Sequence, residues 1–543
     1  MRNANRKLNT LLPAGYAAVA AVSLALQLAA QRGRAGLLPV LWVFFLSGAL
    51  ILLQLLRGRL RLLRVGWPCL AGAALMAVST FFSFLLRSHA LAGRPLAKAG
   101  AALLVFAAYA LLFEALAGLD KSLFAGPQAP GEHLRPSRLL LLGAVFLLVL
   151  LLEYRLYFPY GRSGDTVNQW RQIHGLVPYN TVHAIGHTIF LKGLLRLWDS
   201  YTVVVWFQML AVTAFCLWAA DFFYARGLSL PFVAFALTMG LIWTNAATDA
   251  YFYPWKDTPA ALCLGVTTLL MARLTETRPL RLWEALLLGT ALAWCCLFRL
   301  NGLVALLICG VCCLALLWKR RCPRQLAAML LAAAVSLGGV GLYSSLVLRP
   351  EKMDNGFALQ IFGASIAAAV HEDAMTEAEL AEIEQVLPVD WMREKYGDPR
   401  NKRALLWDDS GSERIAAQPS LEILNNDFVI RMGENKAAVI RLFFQLLPGH
   451  FPTMARDLLG SMAIVWMQDS LFFPACHLFW AAALGSLALR RRLRLPDWLP
   501  FLPCVCNTLS IMISTATDEI RYLLPTFLMA PVFLLYLARK TEP

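Results

Sequence analysis

The residues best suited to chemistry in this chain are few, and they sit in short runs between long apolar stretches. Asp165 stands in GRSGDTVNQW (161–170), directly after one such stretch. Gln169, Trp170, Arg171 and His174 follow it, and then comes YNTVHAIGHT (179–188), with His183 and His187. Residues four apart share a helix face, so the two imidazoles would lie together. A carboxylate in a glycine-flanked loop is either a solvated turn or a general base. The histidine pair is interfacial structure, a metal pair, or a source of hydrogen bonds to a phosphate or sugar. No carboxylate occupies the position that a zinc hydrolase helix requires, which favours hydrogen bonding over metal ligation.

Three further runs carry charge at the edges of apolar stretches. YFYPWKDTP (251–259) holds Lys256 and Asp257, with Asp249 just before it in TNAATDA. Asp257 precedes Thr-Pro-Ala and is placed to cap the helix that follows. Lys256 has no such local role; its ammonium suits either snorkelling or an anionic head group. FRLNG (298–302) puts Arg299 in a tight turn beside the apolar layer, and TDEIRYLLP (517–525) puts Arg521 and Tyr522 at the opening of the last apolar run. An Arg-Tyr anchor at a membrane interface is the plain alternative there. Together, cations and a carboxylate suit a reaction in which a phosphate leaves while a hydroxyl attacks. The cations would neutralise charge growing on the phosphate, and the carboxylate would take the hydroxyl proton.

Something must bring these separate runs together, and composition indicates what. The chain has 543 residues, 59% hydrophobic and 15% charged, against about 45–50% and about 25% in soluble domains. Repeated nearly uncharged apolar runs mark membrane-spanning helices. The expected fold is an all-α polytopic membrane protein with about 14 transmembrane helices, at roughly 10–30, 37–56, 66–86, 97–118, 138–158, 200–224, 230–247, 257–273, 283–298, 301–318, 326–348, 471–490, 497–515 and 520–538. The segment 184–198 is short and carries Lys192 and Arg196, as an interfacial helix would. The N-terminal run is expected to be a retained first helix rather than a cleaved signal. A net charge of +15 does not indicate nucleic-acid binding, because the basic residues cluster between spans. Placing the N-terminus in the cytoplasm puts Arg57 to Arg64, Arg273 to Arg281, Lys319 to Arg324 and Arg490 to Arg494 on the cytoplasmic side. All four chemistry-bearing runs then face outward.

Residues 349–470 form the only long polar stretch. Thr376 and Glu379 make a capping box for an amphipathic helix; 396–403 and 408–413 are expected as turn and loop, and 437–447 as a helix on the membrane surface. Most of the twelve cysteines lie inside apolar runs. The Cys309-x-x-Cys312 pair has no second pair, so small buried thiols are the expectation. No internal repeat is evident.

With these runs in place, the chain resembles GT-C glycosyltransferases, integral membrane enzymes that take a sugar from a polyprenyl-phosphate carrier. The residues that carry the likeness are Asp165 with Gln169, then Asn180, His183, His187 and Thr188, then Lys256-Asp257, Arg299-Leu-Asn-Gly302 and Arg521-Tyr522. The likeness covers roughly 138–538 and departs at Ala184, where many relatives have proline. It implies a GT-C-like membrane module over 138–348 with its first outer loop at 159–199, a four-span N-terminal extension over 1–137, an extracytoplasmic helical segment over 349–470 and a C-terminal three-span unit over 471–543. It further implies Asp165 as catalytic carboxylate, with Asp257 or Asp249 as a second acidic group. Gln169, His183, His187, Lys256, Arg299, Arg521 and Tyr522 would contact substrate. The expected partners are a polyprenyl-phosphate-linked sugar, the bilayer, and a glycan, lipid or protein acceptor at the outer face of a bacterial plasma membrane. The likeness implies no particular cofactor and leaves a divalent metal open, since some relatives require one and others have none. A transporter or flippase for a lipid-linked or anionic solute would also use membrane-edge cations, but it predicts two matching halves and midplane polar groups. An outer-face glycan polymerase or ligase would share the carrier chemistry with a diphosphate donor.

Overall fold

The computed structural model describes residues 66–80, 95–117, 131–397, 402–407, 426–462, 465, 477–490, 492–515 and 519–539. These form helices joined by turns, with no strand among them. In chain order the first eleven are α1 (Trp67–Thr80), α2 (Pro95–Ala117), α3 (Pro136–Tyr154), α4 (Gly164–Ile173), α5 (Ile185–Leu195), α6 (Tyr201–Tyr224), α7 (Leu230–Thr248), α8 (Asp257–Leu274), α9 (Leu282–Phe298), α10 (Gly302–Lys319) and α11 (Pro323–Tyr343). The polar stretch supplies α12 (Gln360–Glu372), α13 (Glu377–Glu384), α14 (Val389–Lys395), α15 (Arg403–Trp407), α16 (Asp427–Glu434), α17 (Lys436–Leu446) and α18 (Phe451–Ser461). The chain closes with α19 (His477–Arg490), α20 (Leu502–Ser514) and α21 (Leu524–Arg539). Prolines open α3, α7 and α11, where their missing N–H costs no hydrogen bond.

Among the described residues five helices are long and apolar enough to cross a membrane: Pro136–Tyr154, Tyr201–Tyr224, Gly302–Lys319, Pro323–Leu348 and Arg521–Arg539. The expected spans at 10–30 and 37–56 lie outside the described residues. The other expected spans coincide with helices, but several are short. The 17 residues of α9 reach about 25 Å, below a hydrocarbon core of about 30 Å. Exposure separates the long helices. Only 17% of the apolar window in Pro323–Leu348 is buried, against 83% in Arg521–Arg539. The first presents Leu330, Leu331, Val335 and Leu342 outward; the second is the hub of the bundle.

The main core joins α1, α2, α3, α6, α7, α8, α19 and α21. Helix α21 packs against α7 and α8, whereas α19 packs on α1, α2 and α21. A Cβ on Gly240 of α7 would lie 2.4 Å from Pro531 Cγ of α21, so glycine permits that close approach. A second core gathers α8, α9, α10 and α11 with Cys506 of α20, and Cys309 and Cys313 are buried thiols within it. At the end of the bundle remote from Asp165, Glu276 accepts from Arg226 at 2.6 Å, Arg273 at 2.5 Å and Arg539 at 2.6 Å. Burial would raise the Glu276 carboxyl, but Arg226 and Arg539 outweigh it and draw it down to about 2.

The polar stretch folds around its own core, which α12, α14, α16, α17 and α18 line. Thr376 and Glu379 cap α13 reciprocally, as expected. Helix α17 turns Val439, Leu442, Phe443 and Leu446 into this core and leaves Ile440 and Phe444 exposed. It is thus a domain helix with one free apolar face. Lys402 and Asp457 form a fully buried pair at 2.7 Å, and Asp457 also accepts from Tyr396 at 2.7 Å and Ser365 at 3.0 Å. The expected turn at 396–403 falls partly outside the described residues, and the loop at 408–413 wholly so.

Candidate functional site

Helix α4 begins at Gly164, which places Asp165 in its first turn, where helix N–H groups favour negative charge. The turn is locked locally, because Thr166 Oγ1 donates to the Ser163 carbonyl at 2.8 Å. It is also tied to the loop before α8: Gly161 N–H donates to the Phe252 carbonyl at 2.8 Å, and Trp255 Nε1 donates to Ser163 Oγ at 2.8 Å. A Cβ on Gly161 would meet the Tyr253 ring at 2.4 Å, so the two loops touch only because this residue is glycine. Residues 91 apart in sequence thereby face each other. Lys256 Nζ donates to Asp165 Oδ2 at 3.4 Å, and Arg521 Nη1 lies 3.9 Å from the same oxygen.

A second pair adjoins the first. Asp257 is buried and accepts from Arg299 at the C-terminal end of α9. Helix α8 starts at Asp257 without a side-chain cap. The capping role anticipated for Asp257 is therefore replaced by this ion pair, while its Oδ2 has no hydrogen-bond partner. The pairs are joined through aromatic rings. Arg299 lies 4.6 Å from the Tyr522 ring centre, and Arg521 lies 5.2 Å from Tyr522 and 4.4 Å from Trp255. Such contacts hold a guanidinium in place without consuming its N–H donors. Arg521 also pairs with Glu519.

Burial alone would raise the carboxyl of Asp165; the charges of Lys256, His183 and Arg521 outweigh it and hold it well below its usual range. The side chain remains about one-third exposed, at 32%. Lys256 Nζ also lies 3.5 Å from His183 Nδ1. An ammonium only donates, so Nδ1 accepts, and the proton of His183 sits on Nε2, which is buried and unpartnered. Burial, and then Lys256, push His183 down to about 4. His187 has the opposite arrangement. Gln169 Nε2 donates to Thr188 Oγ1 at 3.0 Å, leaving Gln169 Oε1 to accept from His187 Nδ1 at 3.0 Å. His187 Nε2 is then a bare, buried acceptor, and burial holds the ring neutral, well below its ordinary value. His183 Nε2 is thus an unpartnered donor and His187 Nε2 an unpartnered acceptor.

The structure thus brings Asp165, Lys256, His183, Asp257, Arg299, Arg521 and Tyr522 to one end of the bundle. Gln169 is buried and braces α4 against α5 through Thr188 and His187. Asn180 is buried, its Oδ1 accepting from Val182 N–H and its backbone bridging to Glu351. Ala184 opens α5 with φ −59°, an angle proline also adopts. His174 lies apart, stacked on Trp170 and bonded to Asp199 at 2.8 Å. Asp249 faces Tyr157 and Glu153 rather than Asp165. Sequence reasoning missed Trp255 and the particular contacts by which the polar domain docks. Thr181 N–H donates to the Glu351 carbonyl at 3.2 Å, Asn355 Nδ2 to the Val182 carbonyl at 3.2 Å and Gln360 Nε2 to the Ser514 carbonyl at 2.8 Å. That domain borders the histidine stretch. Among the described residues no group of three His, Cys, Asp or Glu side chains is placed to hold a metal ion.

No protein-family model, no curated protein and no solved structure matches the chain.

Proposed function

We propose that this chain is a GT-C-type glycosyltransferase that moves a sugar from a polyprenyl-phosphate carrier to an acceptor hydroxyl. The observation that carries the reading is the sharing of Asp165 between Lys256 and Arg521 beside a buried Arg299–Asp257 pair. Asp165 would take the proton of the acceptor hydroxyl. The acceptor oxygen would bond to the anomeric carbon as the bond from that carbon to the phosphate oxygen breaks. The electron pair, and a full extra negative charge, would pass to the departing phosphate beside Lys256 and Arg521.

Without substrate Asp165 is too weakly basic for this role, and the geometry offers a remedy. A lipid phosphate that docks on Lys256 and Arg521 neutralises the two charges holding Asp165 down. Its basicity then rises when it is needed. The opposed protons of His183 and His187 supply a donor and an acceptor for sugar or acceptor hydroxyls. In this reading Asp257 positions Arg299 and has no direct part in the chemistry.

The proposed setting is a bacterial plasma membrane crossed about fourteen times, with both termini in the cytoplasm, the site on the opposite side and the polar domain beside it. The test is transfer from a polyprenyl-phosphate-linked sugar in proteoliposomes. The wild type should release polyprenyl phosphate; Asp165→Asn, melting at the same temperature, should not. Full activity in that variant removes Asp165 from the mechanism.

A further inference from the structure

His183 stands in a stretch that no helix holds: α4 ends at Ile173 and α5 begins at Ile185. The polar domain holds it instead. Glu351 N–H donates to the Tyr179 carbonyl at 2.8 Å, and Thr181 N–H donates back to the Glu351 carbonyl at 3.2 Å. The two segments form an isolated parallel bridge between Asn180 and Glu351. Met353 N–H donates to Thr181 Oγ1 at 2.9 Å. The Val182 side chain is buried in the core of the polar domain.

The last tie reaches the site. Asn355 Nδ2 donates to the Val182 carbonyl at 3.2 Å. That carbonyl belongs to the peptide whose nitrogen is that of His183. The peptide is planar, so fixing its oxygen fixes the plane from which His183 departs. Asn355 is itself anchored. Its Oδ1 accepts from Phe357 N–H at 2.9 Å. A Cβ on Gly356 would collide with the Val429 carbonyl of α16, and one on Gly433 with the Asp354 carbonyl. The backbone on both sides of Asn355 thus lies against α16 with no room to shift. On its other side His183 meets Lys256 Nζ through Nδ1 at 3.5 Å. That is the outer limit of a hydrogen bond, so a displacement of about 1 Å ends it. His187 is oriented differently, by Gln169 of α4.

We infer that Asn355 is a positioning residue of the candidate site: it anchors the Val182–His183 peptide to the polar domain and so keeps His183 against Lys256. The polar domain is then a working part of the site and not only a cover beside it. The inference rests on the transferase reading only for what His183 would bind.

The experiment is acylation of the full chain in detergent micelles by diethyl pyrocarbonate at neutral pH, followed histidine by histidine with peptide mass spectrometry. The reagent attacks through the imidazole lone pair, which in His183 lies on Nδ1 beneath Lys256. Asn355→Ser keeps an oxygen to cap Phe357 N–H but is too short to reach the Val182 carbonyl. It should label His183 about fivefold faster than the wild type, the effect of one lost hydrogen bond on local opening. Thr181→Val, which removes the acceptor of Met353 N–H, should act in the same direction and serves if the first variant folds poorly. His450, buried in the polar domain between Asp373 and Glu379, should label at the wild-type rate, as should His187. Wild-type labelling of His183 in both variants overturns the inference. So does a rise of His450 in step with His183, which would make Asn355 a general folding residue. No substrate enters the labelling. Selective exposure of His183 in a chain that shows no transfer from a polyprenyl-phosphate-linked sugar would sink the transferase reading and support this one.

Discussion

Replacing Arg299 with methionine removes one partner of a pair whose other member is sealed in. Arg299 and Asp257 side chains are 11% and 1% exposed, and Asp257 Oδ2 already lacks a partner. The substitution leaves a carboxylate with no cation and almost no water. Breaking a buried pair from one side costs about 3–5 kcal/mol. The reverse change, Asp257→Asn, should cost less. Arg299 is the more exposed partner and keeps its contact with the Tyr522 ring at 4.6 Å, and the amide still accepts a hydrogen bond. In the double variant Arg299→Met, Asp257→Leu no charge is stranded, so most of the loss should return. Unfolding of the wild type, Arg299→Met, Asp257→Leu and the double variant in mixed micelles, followed by tryptophan fluorescence, gives the four corners of the cycle. If Arg299→Met costs under about 1 kcal/mol, or the double variant is as unstable as that single one, the buried-pair reasoning is wrong.

Four further outcomes follow from the same geometry. Lys256→Met and Arg521→Met should each weaken polyprenyl phosphate binding about 10- to 100-fold, the value of one charge-assisted contact of about 1.5–3 kcal/mol, as measured by native mass spectrometry. Gln169→Leu strands the Nδ1–H of His187 and the Thr188 hydroxyl, and should cost about 1–3 kcal/mol in the same unfolding assay. His183 is held near 4 when folded, against an ordinary value of 6.5, so between those limits the unfolded chain binds more protons. Stability should therefore rise from pH 4 to pH 6.5, and His183→Gln should flatten that rise in thermal melts. Asp165 acts in the same direction at lower pH: its depressed folded value makes a contribution that is full above the ordinary carboxylate range and lost as pH falls. Asp165→Asn should remove that part of the acid limb.

Much of this arrangement is legible in the sequence because hydropathy fixes where helices lie and charge fixes what cannot be buried alone. The apolar runs coincide with helices wherever the structure describes them, the short run at 184–198 becomes α5, and the Thr376–Glu379 box caps its helix. Hydropathy alone does not measure helix length, so only five of those helices satisfy both length and composition. Lys256, Arg299 and Arg521 are conspicuous because each sits at an apolar edge, although Arg521 also has Glu519 two residues before it. Which carboxylate each one meets is not a local property. Asp257 has the sequence neighbours of a cap, yet its partner lies 42 residues away across a helix pair. Gln169 has the polarity of a binding residue, yet its amide is spent between Thr188 and His187. Trp255 is one more aromatic in an aromatic run until the fold sets Arg521 on its face.

In the proposed transferase Asp165 and a lipid phosphate compete for the same two cations. A cryo-EM structure of the full chain with a polyprenyl phosphate tests it directly. Phosphate oxygens should lie within about 4 Å of Lys256 Nζ and the Arg521 guanidinium, with Asp165 released from Lys256 and free to accept a proton. A phosphate bound elsewhere, with the Asp165–Lys256 contact unchanged, would contradict it.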